Sequence, residues 1–135
     1  MKRLLVVDDE TLIREILVDY LSKYADCDQA ENGRIGYNKY LTAIDEGRPY
    51  ELIFLDIFMP IMDGHDLLQS IRENEKKLSI PKENQIKAIV ISTGSSPRIV
   101  ADTFFEDVCD DYLIKPFKLD ALMAILKKYN LIPRT

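Results

Sequence analysis

Short apolar runs alternate along this chain with longer amphipathic stretches. Residues 4–7 (Leu-Leu-Val-Val) form an apolar run that stops at Asp8-Asp9, the pattern of a strand buried on both faces. Leu12, Ile13, Ile16, Leu17, Tyr20, Leu21 and Tyr24 recur at helical spacing. Residues 26–30 read as a weak second strand and Asn32-Gly33 as a turn. Tyr37, Tyr40, Leu41 and Ile44 mark a second helix, stopped by Gly47 and Pro49. Leu52-Ile53-Phe54-Leu55 is a third strand, ending at Asp56, and a loop with Pro60 and Asp63-Gly64 follows. Leu67, Leu68 and Ile71 predict a third helix that fades into a polar stretch, 73–85, read as a variable surface loop. Residues 86–91 make a fourth strand, ending at Ser92-Thr93-Gly94. Ile99, Val100, Thr103, Phe104 and Val108 predict a fourth helix. Tyr112-Leu113-Ile114 is a fifth strand, ending at Lys115-Pro116, and Leu119, Leu122, Met123 and Leu126 define the last helix.

Five strand–helix pairs with continuously apolar strands imply a parallel sheet covered on both faces. Right-handed crossovers make this a single doubly wound α/β domain of five strands and five helices. The 135 residues suit one core, and 47% hydrophobic with 30% charged residues is ordinary globular composition. A net charge of −5 without a basic stripe argues against nucleic-acid binding by this chain itself. Lys76-Lys77, the densest basic stretch, reads as a solvated helix end. No apolar run approaches the roughly 18 residues of a bilayer span, and the one after Lys2-Arg3 is too short for a signal peptide. Cys27 and Cys109 lack metal-type spacing and read as reduced small hydrophobic residues, which predicts a cytoplasmic protein.

In open parallel sheets, ligands bind beyond the carboxyl ends of the strands. The predicted strands place Asp8, Asp9, Asp56, Ser92, Thr93 and Lys115 there. A single Asp after a strand is ordinarily a cap or a turn residue. Several meeting at one edge repel, by roughly 4 kcal/mol for a pair 4 Å apart at an effective dielectric of 20. A divalent cation removes the conflict, and oxygen ligands with room for water suit Mg²⁺. A carboxylate beside Mg²⁺ is a nucleophile toward phosphorus. Mg²⁺, Lys115 and a hydroxyl from Ser92 or Thr93 then stabilise charge on the transferring oxygens.

Asp8-Asp9, the run Asp56-Ile57-Phe58-Met59-Pro60-Ile61-Met62-Asp63-Gly64 and Tyr112-Leu113-Ile114-Lys115-Pro116-Phe117 together resemble the response-regulator receiver domain of two-component signalling. The resemblance covers about residues 3–129 and implies a flavodoxin-like fold with strand order 2-1-3-4-5. It implies a receiver domain over 1–129 and a short C-terminal tail over 130–135. Asp56 becomes the phosphoacceptor, and Asp8, Asp9, Asp56 and the Phe58 backbone carbonyl become Mg²⁺ ligands, Asp9 directly and Asp8 partly through water. Lys115 pairs with the acceptor or its phosphoryl group, Lys115-Pro116 is a cis peptide, and Tyr112 is a switch residue together with the hydroxyl of Ser92. The implied partners are a histidine kinase or histidine phosphotransfer domain as donor, and a downstream protein that reads the face of the fourth helix, fifth strand and fifth helix. Such a domain is no enzyme beyond its own phosphorylation and slow dephosphorylation. It is expected to be a monomer or a weak phosphorylation-dependent dimer, off the membrane.

Two departures from the family pattern carry consequences. Ser92 and Thr93 are adjacent hydroxyls where the family shows one. Aligning the apolar strand Ile89-Val90-Ile91 selects Ser92, whereas the family's usual spacing back from Lys115 reaches Thr93, and strand registry favours Ser92. Phe58 stands where many relatives carry a polar side chain. Neither it nor Gly94 offers a handle to orient water, which predicts a long-lived aspartyl phosphate. A haloacid-dehalogenase-type phosphohydrolase would want an acid at Phe58, and an interaction-only pseudo-receiver would have lost an acid or the lysine. The 59–64 loop and the 73–85 segment resemble those of hybrid-kinase receivers and favour a phosphorelay, while Met1 reads against excision from the C-terminal end of such a kinase. His65 reads as an exposed helix-start residue, Phe104-Phe105 as core, and the tyrosines of the first two helices as packed with hydroxyls toward water.

Overall fold

A computed structural model of the chain describes residues 2–57, 59–93 and 109–133, with Thr93 described in its backbone only. The strands are β1 (Arg3–Val7), β2 (Asp26–Ala30), β3 (Leu52–Asp56), β4 (Lys87–Thr93) and β5 (Asp111–Lys115). Between them lie helices α1 (Thr11–Leu21), α2 (Gly33–Asp45) and α3 (Gly64–Lys77), and a C-terminal helix spans Leu119–Lys128. The strands form one parallel sheet in the order β2-β1-β3-β4-β5. The predicted fourth helix, with Phe104 and Phe105, lies outside the described residues.

Side chains alternate across a strand, so each apolar strand feeds two cores. Leu5, Val7, Ile53, Leu55, Ala88 and Val90 pack on one face with Tyr40, Ala43, Leu67, Leu68 and Ile71. Leu4, Val6, Leu52, Phe54, Ile89 and Ile91 pack on the other with Leu17, Leu21, Leu122, Ile125 and Leu126. Strand β2 is a polar edge, with Ala30 its one fully buried residue; charges on an edge discourage pairing with another chain. Ile132 is also buried in the second core, so the chain after the C-terminal helix still belongs to the packed fold.

Three expectations are corrected. Asn32-Gly33 is a helix start rather than a free turn, because Asn32 Oδ1 accepts from Ile35 N at 2.9 Å and caps α2. The third helix does not fade at residue 73 but runs to Lys77. Its charged residues are good helix formers, and Glu75 is buried by pairing with Arg72 at 2.7 Å and accepting from Ile86 N at 2.8 Å. The Tyr40 hydroxyl does not face water alone, since it accepts from Asn74 Nδ2.

Candidate functional site

Parallel pairing lines up the strand ends. Val7 pairs with Leu55, Asp56 with Ile91 and Thr93 with Lys115. Asp8, one residue past β1, therefore comes beside Asp56 at the end of β3. The local folds then fix each side chain. The Asp8 backbone donates to Ala30 O at 3.1 Å and its carbonyl accepts from Arg14 at 2.7 Å. Asp8 Oδ1 accepts from Glu10 N at 2.9 Å. After Asp56 the chain turns tightly, with Gly64 N donating to Ile57 O at 2.8 Å and Asp63 Oδ1 capping α3 through Asp66 N. The next turn is held from the other side, where Met62 O accepts from Gly33 N at the start of α2.

Asp8, Asp9 and Asp56 bring carboxylate oxygens within 4.8 Å of one another, and Asp8 and Asp56 are buried. Lys115, at the end of β5, reaches into this group. Its Nζ donates to Glu10 Oε1 at 3.0 Å and to Asp56 Oδ2 at 3.3 Å. It also lies 2.9 Å from Asp8 Oδ2, an ion pair outside hydrogen-bond geometry. Burial works against the Lys115 charge, but Asp8, Glu10 and Asp56 more than offset it and hold the ammonium above its ordinary value. The Lys115–Pro116 peptide bond is cis.

Asp8, Glu10 and Asp56 thus share one ammonium, and the Asp9 carboxylate lies beside those of Asp8 and Asp56. The fully buried Asp8 Oδ2 has no hydrogen-bond partner among the described residues. An excess of negative charge, with the buried Asp8 Oδ2 held only by the charge of the Lys115 ammonium, fits a divalent cation of the hard, oxygen-binding kind. Ser92 is buried on β4, one residue beyond the partner of Asp56. Tyr112 on β5 is 45% exposed. Phe58, Gly94 and the side chain of Thr93 lie outside the described residues. His65 falls in the first turn of α3 and is partly covered, close to Asp63 and Asp66.

Sequence reasoning missed Glu10, although three consecutive acids at 8–10 were a visible signal. It also missed Arg14 and Gly33, whose roles rest on contacts that no local pattern announces.

The model of the response regulator receiver domain matches residues 4–127 of this chain. Among curated proteins, the chain is 33% identical over 132 residues to chemotaxis protein CheY of Listeria monocytogenes, covering 95% of this chain and 98% of that protein. It is 34% identical over 129 residues to hybrid signal transduction histidine kinase L of Dictyostelium discoideum, spanning only 7% of that kinase's length. Among solved structures it is similar to response regulator protein TrrA of Thermotoga maritima, crystallised in complex with Mg(2+)-BeF. There the identity is 32% and the TM-score 0.72, with 96% of this chain and 99% of that one covered.

Proposed function

The chain belongs to the response regulator receiver domain family of two-component and phosphorelay signalling, and on that premise we propose that Asp56 accepts a phosphoryl group from a phosphohistidine donor. The observation that carries this is the convergence of Asp8, Asp9 and Asp56 with Lys115 at one sheet edge. A histidine kinase or a histidine phosphotransfer domain would present the donor, in the cytoplasm.

Asp8, Asp9, Asp56 and the Phe58 carbonyl would hold Mg²⁺, which when bound neutralises charge on the transferring oxygens. The complex of TrrA with Mg(2+)-BeF supports the same chemistry here. Asp56 is the nucleophile, backed by a strand buried on both faces that keeps its carboxylate from drifting. Lys115 bonds the new phosphoryl oxygens, a charge-assisted contact made only after transfer. The Ser92 hydroxyl moves toward the phosphoryl group, and Tyr112, exposed in this structure, turns inward to fill the space left. The downstream partner reads the face of the predicted fourth helix, β5 and the C-terminal helix. Receiver domains are regulatory switches, and this one catalyses no more than its own phosphorylation and dephosphorylation.

The test is incubation with phosphoramidate and Mg²⁺ followed by intact mass measurement. One phosphoryl group is expected on the parent and none on Asp56→Asn. Equal labelling of that variant would place the acceptor elsewhere and overturn the proposal.

A further inference from the structure

Glu10 occupies the N-cap of α1, where a Ser, Thr, Asp or Asn side chain ordinarily accepts from the helix's free N–H groups. The Glu10 side chain makes no such bond. Its Oε1 instead accepts from Lys115 Nζ at 3.0 Å, across 105 residues of sequence. Local structure therefore leaves this carboxylate unused, and the tertiary fold aims it at the mouth of the Asp56 site.

The three carboxylates around Lys115 are not equivalent. The side chains of Asp8 and Asp56 are 0% and 8% exposed, whereas that of Glu10 is 56% exposed. A buried carboxylate that loses its cation is left uncompensated. An exposed one returns to water at little cost. Glu10 is thus the partner that Lys115 releases most readily.

We propose that Glu10 is a positioning residue for phosphoryl transfer: it holds the Lys115 ammonium at the mouth of the site, is exchanged for the incoming phosphoryl group, and by its charge disfavours strongly anionic phosphodonors. This rests on the reading of Asp56 as acceptor. In the transfer, an Asp56 carboxylate oxygen bonds to phosphorus as the bond from phosphorus to the donor's leaving atom breaks. The leaving atom keeps the electron pair: acetyl phosphate releases acetate, and phosphoramidate, whose nitrogen is already protonated, releases ammonia. Lys115 then turns to the phosphoryl oxygens, and Glu10 is released to solvent.

Two small donors separate a charge effect from a structural one. Near neutral pH acetyl phosphate is a dianion, whereas phosphoramidate carries one net negative charge. Glu10 and Asp56 bond the same ammonium at 3.0 and 3.3 Å. One added donor charge about 6 Å from the Glu10 carboxylate in water slows reaction about threefold. The experiment measures labelling rates of the full chain with both donors and Mg²⁺, for the parent, Glu10→Gln, Glu10→Ser and Glu10→Asp. Serine is a good N-cap, so that variant keeps α1 stable. The ratio of acetyl phosphate rate to phosphoramidate rate is expected to rise about threefold in both neutral variants, to stay parental in Glu10→Asp, and to depend less on salt in the neutral pair. An unchanged ratio in Glu10→Gln and Glu10→Ser, with labelling confined to Asp56, overturns this inference alone. Labelling that persists in Asp56→Asn overturns the acceptor reading and this inference with it.

Discussion

Gly64 sets the distance between the start of α3 and the end of β3, and replacing it with alanine perturbs the acceptor without touching its chemistry. A Cβ on Gly64 would stand 2.9 Å from Asp56 C and 2.9 Å from Ile57 Cα, and closer still to Asp56 O. All three are backbone atoms, so no side-chain rotation relieves the clash. The helix start can swing away, which breaks the 2.8 Å bond from Gly64 N to Ile57 O and disturbs the Asp63 cap. Otherwise the Asp56 carbonyl moves and carries its carboxylate away from Lys115, now 3.3 Å distant. Overpacking costs about 1–3 kcal/mol and a lost hydrogen bond about 1 kcal/mol, so Gly64→Ala should be destabilised by about 3 kcal/mol. A displacement near 1 Å at the reacting carboxylate slows transfer by about a hundredfold. Urea denaturation followed by circular dichroism reads the first effect, and phosphoramidate labelling in native buffer reads the second. Gly47→Ala is the control. Gly47 has φ +74 with open space around its would-be Cβ, so alanine there costs about 1 kcal/mol through backbone strain and leaves labelling unchanged. Parental stability and labelling in Gly64→Ala would refute the reasoning.

Ile61 is a β-branched residue at φ +72 and 72% exposed, so Ile61→Asn should raise stability by about 1 kcal/mol, seen as a higher urea midpoint; no change would remove the argument from strain. Glu75→Ala leaves the buried Ile86 N–H without its acceptor and Arg72 without one of its carboxylates, and should cost about 2 kcal/mol by the same measurement. Burial raises the Asp28 carboxyl, but hydrogen bonds from Tyr50 and Arg3 and the Arg3 charge outweigh it and hold it below its ordinary 3.8. The folded state then binds fewer protons than the unfolded state in acid, so this stabilisation is present above about pH 4 and is lost as pH falls through the folded value. Asp28→Asn should therefore be about 1 kcal/mol less stable than the parent at pH 7, a gap that narrows toward pH 3; a gap constant with pH would refute the linkage.

The order of apolar runs and the acids that end them are local properties, and they sufficed to determine a doubly wound sheet with Asp8, Asp9, Asp56 and Lys115 at one edge. Periodicity reports which residues leave water, and in the inner strands of a two-faced parallel sheet nearly every residue does, so those strands were legible from residues such as Leu4 to Val7 and Leu52 to Leu55. Where burial is maintained by polar pairing, that signal fails. The helical turn from Glu73 to Lys77 looked like a loop because Glu75 enters the interior only in company with Arg72 and Ile86 N. The cap formed by Asn32 looked like a turn, since the same side chain serves both until the neighbouring backbone is placed. The fold alone decided that Glu10 meets Lys115, that Met62 rests on the first turn of α2 and that Gly64 lies against the backbone of Asp56. Each joins residues distant in sequence or depends on the path of a tight turn, and a one-dimensional pattern carries no distances between them.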